Sequence, residues 1–149
     1  MRAEPTLLFG HDDQVAAWVA DRIPHVRGGD FGPCKAIGIG SAQLGKLWAG
    51  IVYHDYQERC GTVQLSMAAE SPLWATRGTI RALLHVPFVQ YKVWKVWTAT
   101  PHGNARALKV NEHIGFKREA TLAHHFGKGN HAIICRMLAP DYARRFGVD

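Results

Sequence analysis

One stretch constrains the fold more than any other, residues 62–115. It opens on TVQLSMAAE (62–70), where apolar and polar residues alternate as on a half-buried strand. The turn SPLWATRG (71–78) leads into TIRALLHVPF (79–88), in which Ile80, Leu83, Leu84 and Phe88 fall on one helical stripe. Pro87 must kink or end that helix, because its ring clashes with the carbonyl of Leu83. A second alternating run, KVWKVWTAT (92–100), precedes PHGNARALKVNEHIGF (101–116), a helix that stops at Gly115. Strand, helix and strand in this order make a crossover unit, whose two strands run parallel with a right-handed connection. Ligands of such units bind in the crevice beyond the strand carboxyl ends, so function is expected here.

The flanking sequence fits one mixed sheet. TLLF (6–9) reads as a short strand ended by Gly10. Asp12 or Asp13 is placed to cap a helix running to Arg22, with Val15, Trp18, Val19 and Ile23 on one face and Pro24 as its stop. HVRGGDFGP (25–33) is a glycine-rich loop, either a connector or a mobile segment facing substrate. KAIGIGS (35–41), KLWAGIVYH (46–54) and 62–70 then form a meander through the links QLG (43–45) and DYQERCG (55–61). KREATLA (117–123) and NHAIICRML (130–138) flank a turn at Gly127, Lys128 and Gly129, and Pro140 opens a last helical turn. The expected class is α/β, a mixed sheet with helices on both faces, in a single domain spanning 1–149.

Bulk properties narrow the function less. Lys and Arg number 18 against 12 acidic residues, a net charge of +6 that suits an anionic partner or a solvated basic surface. Cys34, Cys60 and Cys135 are odd in number and show no C-x-x-C spacing, which argues against disulfide and zinc frameworks and for a reducing, cytoplasmic setting. No apolar run is long enough for a signal peptide or a membrane span, so no membrane partner is expected. Among nine histidines, the best metal candidates are His124 with His125, His54 with Asp55, and His131, but no helical H-x-x-x-H or H-E-x-x-H occurs and no metal is assigned. The five tryptophans read as core, Trp74 alone having an alternative place in the pocket wall.

Several residues carry candidate chemistry. On 62–70, Val63, Leu65, Met67 and Ala69 face one way, and Thr62, Gln64, Ser66, Ala68 and Glu70 the other. Glu70 reads as a general base or as a solvated strand-end or capping carboxylate. Thr76, Arg77, Gly78 and Thr79 read as a phosphate-binding helix start or as an ordinary one. Asn104 reads as the cap of the next helix or as an amide that bonds a ligand. His54 and His124 stand where a proton shuttle would be useful.

The segment NARALKVNEHIGFKREA (104–120) resembles the asparagine-to-"lGFkrEG" signature of the GNAT N-acetyltransferase superfamily, most closely the branch that acetylates ribosomal-protein and other N-termini. The run 52–78 resembles small GNAT-like proteins of phages and prophages, and the order of elements is similar to that fold over nearly the whole chain. The resemblance implies a V-shaped split between the fourth and fifth strands, opening after Ser66, with acetyl-CoA lying in it as co-substrate. It implies that main chain around Ser66, Met67 and Ala68 pairs with pantetheine and polarises the thioester, an oxyanion-hole role. It implies that Arg77, Gly78 and Thr79 hold the pyrophosphate and that Asn104 contacts pantetheine. A primary amine of a protein or small molecule would then attack directly, losing its proton to Glu70 or a water chain.

Two departures bear on that expectation. The pyrophosphate pattern Q/R-x-x-G-x-G/A is degenerate here, reading Ala75-x-x-Gly78-x-Ile80. Asn111 occupies the position of the general-acid tyrosine, so the thiolate would take its proton from water or His113 or leave unprotonated. The alternatives are a phage-type relative that modifies or binds nucleic acid and a non-catalytic binding protein; a homodimer is compatible with either.

Overall fold

A computed structural model describes residues 5–41 and 46–147, so the expected 43–45 link lies outside the described residues. The elements are β1 (Thr6–Leu8), α1 (Asp12–Arg22), β2 (Cys34–Ser41), β3 (Lys46–Gln57), β4 (Thr62–Ala69), α2 (Arg77–His85), β5 (Lys95–Pro101), α3 (Ala105–Ile114), β6 (Lys117–Leu122), β7 (Ala132–Leu138) and α4 (Ala139–Phe146). They form a 7-stranded sheet in the order β1-β2-β3-β4-β5-β7-β6. Every neighbouring pair is antiparallel except β4 and β5, which run parallel as the crossover requires.

The two faces of the sheet are covered differently. Ile51, Tyr53, Val63, Leu65 and Val96 point to the face where Leu83, Leu108 and Tyr142 bring in α2, α3 and α4, and these residues share the main core. Among the described helices, α1 alone lies on the opposite face, where it buries Val15 and Val19 against Ala36 and Val52. Its seat is built by glycine. Gly38 and Gly50 are cross-strand partners. A Cβ on Gly50 would come within 2.6 Å of Val19 and 3.2 Å of Val15. The absent side chains let the helix sit on bare backbone.

Three boundaries differ from expectation for local reasons. His11, with no side-chain bond, is the N-cap of α1 in place of Asp12 or Asp13. The Asp12 carboxylate instead accepts the Ala36 amide of β2 at 3.1 Å. β5 begins at Lys95 because Lys92 takes a left-handed conformation, φ 57°. The hairpin after His54 is shorter than expected, since β3 continues to Gln57.

At Pro87 the α-helix gives way to a π-helical turn, Val86–Gln90. The proline has no N–H for the Leu83 carbonyl. The buried Tyr53 hydroxyl donates to that carbonyl at 2.6 Å, so the break leaves no orphan acceptor there. Among the tryptophans, Trp48 and Trp74 are core, but Trp94 is 59% exposed and Trp18 and Trp97 are half-buried, so the all-core expectation does not hold.

Candidate active-site cleft

The seam between β4 and β5 is three residue pairs long: Thr62 with Lys95, Val63 with Val96, and Gln64 with Trp97. β4 then continues to Ala69 and β5 to Pro101 with no further pairing. The strands therefore part just after Gln64, two residues earlier than expected from the sequence. Beyond that point the β5-facing main chain of Ser66, Met67 and Ala68 has no strand partner, which leaves peptide groups for a ligand.

An apolar recess lies in the opening on the main-core side. Leu65 and Met67 of β4 face Trp74, Ile80, Asn111 and Ile114 across a cavity of about 10 Å³, room for one water-sized group. Trp74 thus belongs to the core and to the wall at once. Asn111 is the polar side chain of this lining. Its Nδ2 donates to Thr98 and Thr100 of β5, each at 3.3 Å, and so fixes α3 to the far side of the split.

The N-terminus of α2 begins at Arg77, after the turn that follows β4. Thr76 caps it, its hydroxyl oxygen accepting the Thr79 amide at 3.2 Å. The amides of Arg77 and Gly78 precede any intrahelical acceptor, as in any first turn. A Cβ on Gly78 would meet nothing within 4 Å, so protein packing does not require glycine at this position. The Arg77 guanidinium turns to α4, donating to the Arg145 carbonyl at 2.6 Å and lying 5.0 Å from the Phe146 ring. Asn104 caps α3, accepting the Ala107 amide at 3.1 Å.

The other side of the opening carries the ionisable groups. His54 Nε2 lies 2.8 Å from Ser66 Oγ. Its ring also packs against Phe31 of the 25–33 loop, with centroids 4.9 Å apart. Burial lowers the His54 pKa, and the nearby Asp55 only partly offsets this, so the ring is neutral at pH 7. Glu70 sits one residue past β4, its side chain 47% exposed, and accepts from Arg22 Nε at 3.2 Å. Arg22 is held in turn by the Trp18 carbonyl and by its stack on the Trp18 ring. His54 and Ser66 are thus together, Glu70 is further along the same strand, and Asn111 is across the sheet.

Three more histidines gather where the 102–104 turn meets the 124–131 hairpin. His102 Nδ1 accepts the His131 amide, His131 Nδ1 accepts the His124 amide, and His124 Nδ1 accepts the Gly129 amide, at 3.1, 2.8 and 2.8 Å. The rings of His131 and His124 are thereby set as Nε2–H tautomers, while His102 Nδ1 also lies 3.3 Å from the His131 carbonyl. Among the described residues no group of His, Cys, Asp or Glu is arranged for a metal ion. His25 stacks on Phe126 with centroids 4.0 Å apart, strapping the 25–33 loop to the same hairpin.

Sequence reasoning missed Arg22, Phe31 and Phe126. Arg22 lies 48 residues from Glu70, and nothing in either segment marks the contact. It also missed Trp97, although its parity signal was available: Trp97 stands opposite Gln64 and shares its face.

No family profile matches the chain, and no curated protein matches it. Solved structures do. A chimera of the spermidine N-acetyltransferase SpeG from Vibrio cholerae and hSSAT superposes with a TM-score of 0.71 at 14% identity, over 96% of this chain and 100% of that one. The V. cholerae spermidine/spermine N-acetyltransferase SpeG with manganese gives 0.69 at 14%, over 95% and 96%. A dodecameric V. cholerae spermidine N-acetyltransferase gives 0.69 at 15%, over 95% and 98%. At this identity the likeness establishes the fold, which is the GNAT fold expected from the sequence.

Proposed function

We propose that the protein is an N-acetyltransferase that passes an acetyl group from acetyl-CoA to a primary amine by direct attack on the thioester. The observation that carries this reading is the early parting of β4 and β5, which leaves unpaired main chain from Ser66 to Ala68 beside an apolar recess. Pantetheine suits the unpaired edge itself, where its amides replace the missing strand partner. The fold similarity to spermidine N-acetyltransferases supports the same chemistry.

Residue roles follow from placement. The Met67 amide, on the β5-facing edge of β4, polarises the thioester carbonyl, and as a fixed dipole it acts most strongly when charge develops on that oxygen. The α2 terminus receives the pyrophosphate on the backbone amides of Arg77 and Gly78, while the Thr79 amide is held by the Thr76 cap. Here the degenerate loop matters least, because Gly78 keeps the approach open while Arg77 serves α4. Asn104 borders the pantetheine path. The amine reaches the carbonyl from the α1 side, where His54 with Ser66, and Glu70 with Arg22, offer two routes for its proton. Asn111 cannot act as the missing tyrosine acid; its amide holds α3 to β5, and the thiolate takes its proton from solvent.

A thermal shift with acetyl-CoA tests the reading. A ligand at 100 times its Kd adds about 2.7 kcal/mol of stability, a rise of several degrees for a domain of this size. Gly78→Asp is expected to fold normally, since its Cβ meets open space, and to lose the shift. No shift in the wild type, or an undiminished one in Gly78→Asp, removes the pyrophosphate site.

A further inference from the structure

We infer that the α1-side face of β5, β7 and β6, with the adjoining edge of β4, is the acceptor groove, and that it takes an amine on an apolar or aromatic body bearing an anionic group rather than a polyamine. This rests on the transfer reading above and adds the substrate class to it.

The groove exists because α1 is short. The helix packs on β2, β3 and the near side of β4, while α2, α3 and α4 lie on the opposite face. Among the described residues no helix covers the α1-side face of β5, β7 and β6. An open concavity of about 390 Å³ remains, with Trp97 and Ile134 on its sheet wall and Thr62, Ala120 and Leu122 around them. Register joins this concavity to the chemistry. Trp97 stands directly opposite Gln64, and Ser66 follows on the same face about 7 Å further along β4. A ring resting on Trp97 can therefore present an amine toward Ser66 and His54.

Charge selects the occupant. One carboxylate lines the groove, that of Glu119, and both its oxygens are engaged: Oε2 by Lys95 Nζ at 2.7 Å and Oε1 by Arg136 Nε at 3.4 Å. Lys117, the cross-strand partner of Arg136, adds a third cation nearby. Recognition of a polyamine needs carboxylates to spare, and here cations outnumber the acid. Glu119 itself marks where an anion belongs. It is the extra residue in the register shift between Arg118 and Ala120, a bulge that sets it apart from the ladder. A ligand carboxylate or phosphate can take its place between Lys95 and Arg136. The flat indole of Trp97 and the apolar Ile134 and Leu122 suit a ring or aliphatic body.

Calorimetric titration without acetyl-CoA tests the class, using phenylalanine, phenethylamine, AMP and spermidine. Phenylalanine and phenethylamine differ only in the carboxylate, and AMP presents a phosphate on a different aromatic body. An anionic probe is expected to bind at least about tenfold more tightly than phenethylamine or spermidine. Trp97→Ala should lose about tenfold, and Glu119→Gln, which frees two cations, should gain severalfold. Circular dichroism checks that both variants fold. Tightest binding of spermidine, or probe affinities unmoved in both variants, overturns the groove. So does a failure of every probe to bind together with a change in oligomeric size in Trp97→Ala, which would give this face to a second copy of the chain. Acetylation assays on the same amines separate the two claims. Anion-selective binding without any acetylated product ends the transfer reading and leaves the groove. Product from spermidine or phenethylamine alone does the reverse.

Discussion

His54 Nε2 and Ser66 Oγ are joined by a hydrogen bond at 2.8 Å whose direction is set by the tautomer: the Nδ1–H ring accepts from the serine hydroxyl and the Nε2–H ring donates to it. Under the transfer reading, kcat/KM should rise with pH along a limb centred below the ordinary histidine value of 6.5. A pH–rate profile in which His54→Gln retains that limb would exclude this residue. Glu70→Gln should cut turnover far more than acetyl-CoA binding if the carboxylate takes the proton, and turnover unchanged within error would exclude it. The same lowered pKa bears on stability. The unfolded chain binds a proton at 6.5 more readily than the folded one, so the contribution is complete above that pH and declines as pH falls through the lower folded value. The melting temperature should drop more steeply below pH 6.5 in the wild type than in His54→Gln. Which side chains share a face of β4 was legible from two-residue alternation. The partners were not, because Arg22, Phe31 and Phe126 come from segments far along the chain.

Elements were the most legible level, since the spacing that makes a helix or a strand is local. The order of strands and helices could be read almost whole, and Pro87 announced the end of α2. What closes each joint is non-local. Tyr53, on the middle of β3, satisfies the carbonyl that Pro87 leaves, and removing its hydroxyl should strand a buried acceptor. Tyr53→Phe is expected to cost about 1–3 kcal/mol in urea denaturation with little change in slope. The seat of α1 makes a sharper case. Alanine is ordinarily welcome in a strand next to glycine, yet Gly50→Ala would drive a methyl into Val19 and Val15. A loss of about 1–3 kcal/mol is expected, from overpacking rather than propensity. A neutral result would mean that α1 can lift away. Asp12 failed as a cap because a strand amide outbid the helix for its carboxylate, a competition that no helix-start pattern contains.

Across the whole molecule, the sheet is two half-sheets, β1 to β4 and β5-β7-β6, each laced by long antiparallel ladders. The place of the split was legible because a crossover between parallel strands is the one discontinuity in an otherwise antiparallel order. Its depth was not, since sequence does not say how many rungs two parallel strands will form. Nor did composition locate the cationic groove; the +6 charge is spread along the chain, and only β6, β5 and β7 lying side by side collect Lys95, Lys117 and Arg136. Three rungs form a weak weld between two stiff plates. An occupant bonded to both plates acts as a rivet, so deuterium uptake at the β4 and β5 amides around the gap should slow when it is seated, while the outer ladders keep their own pace.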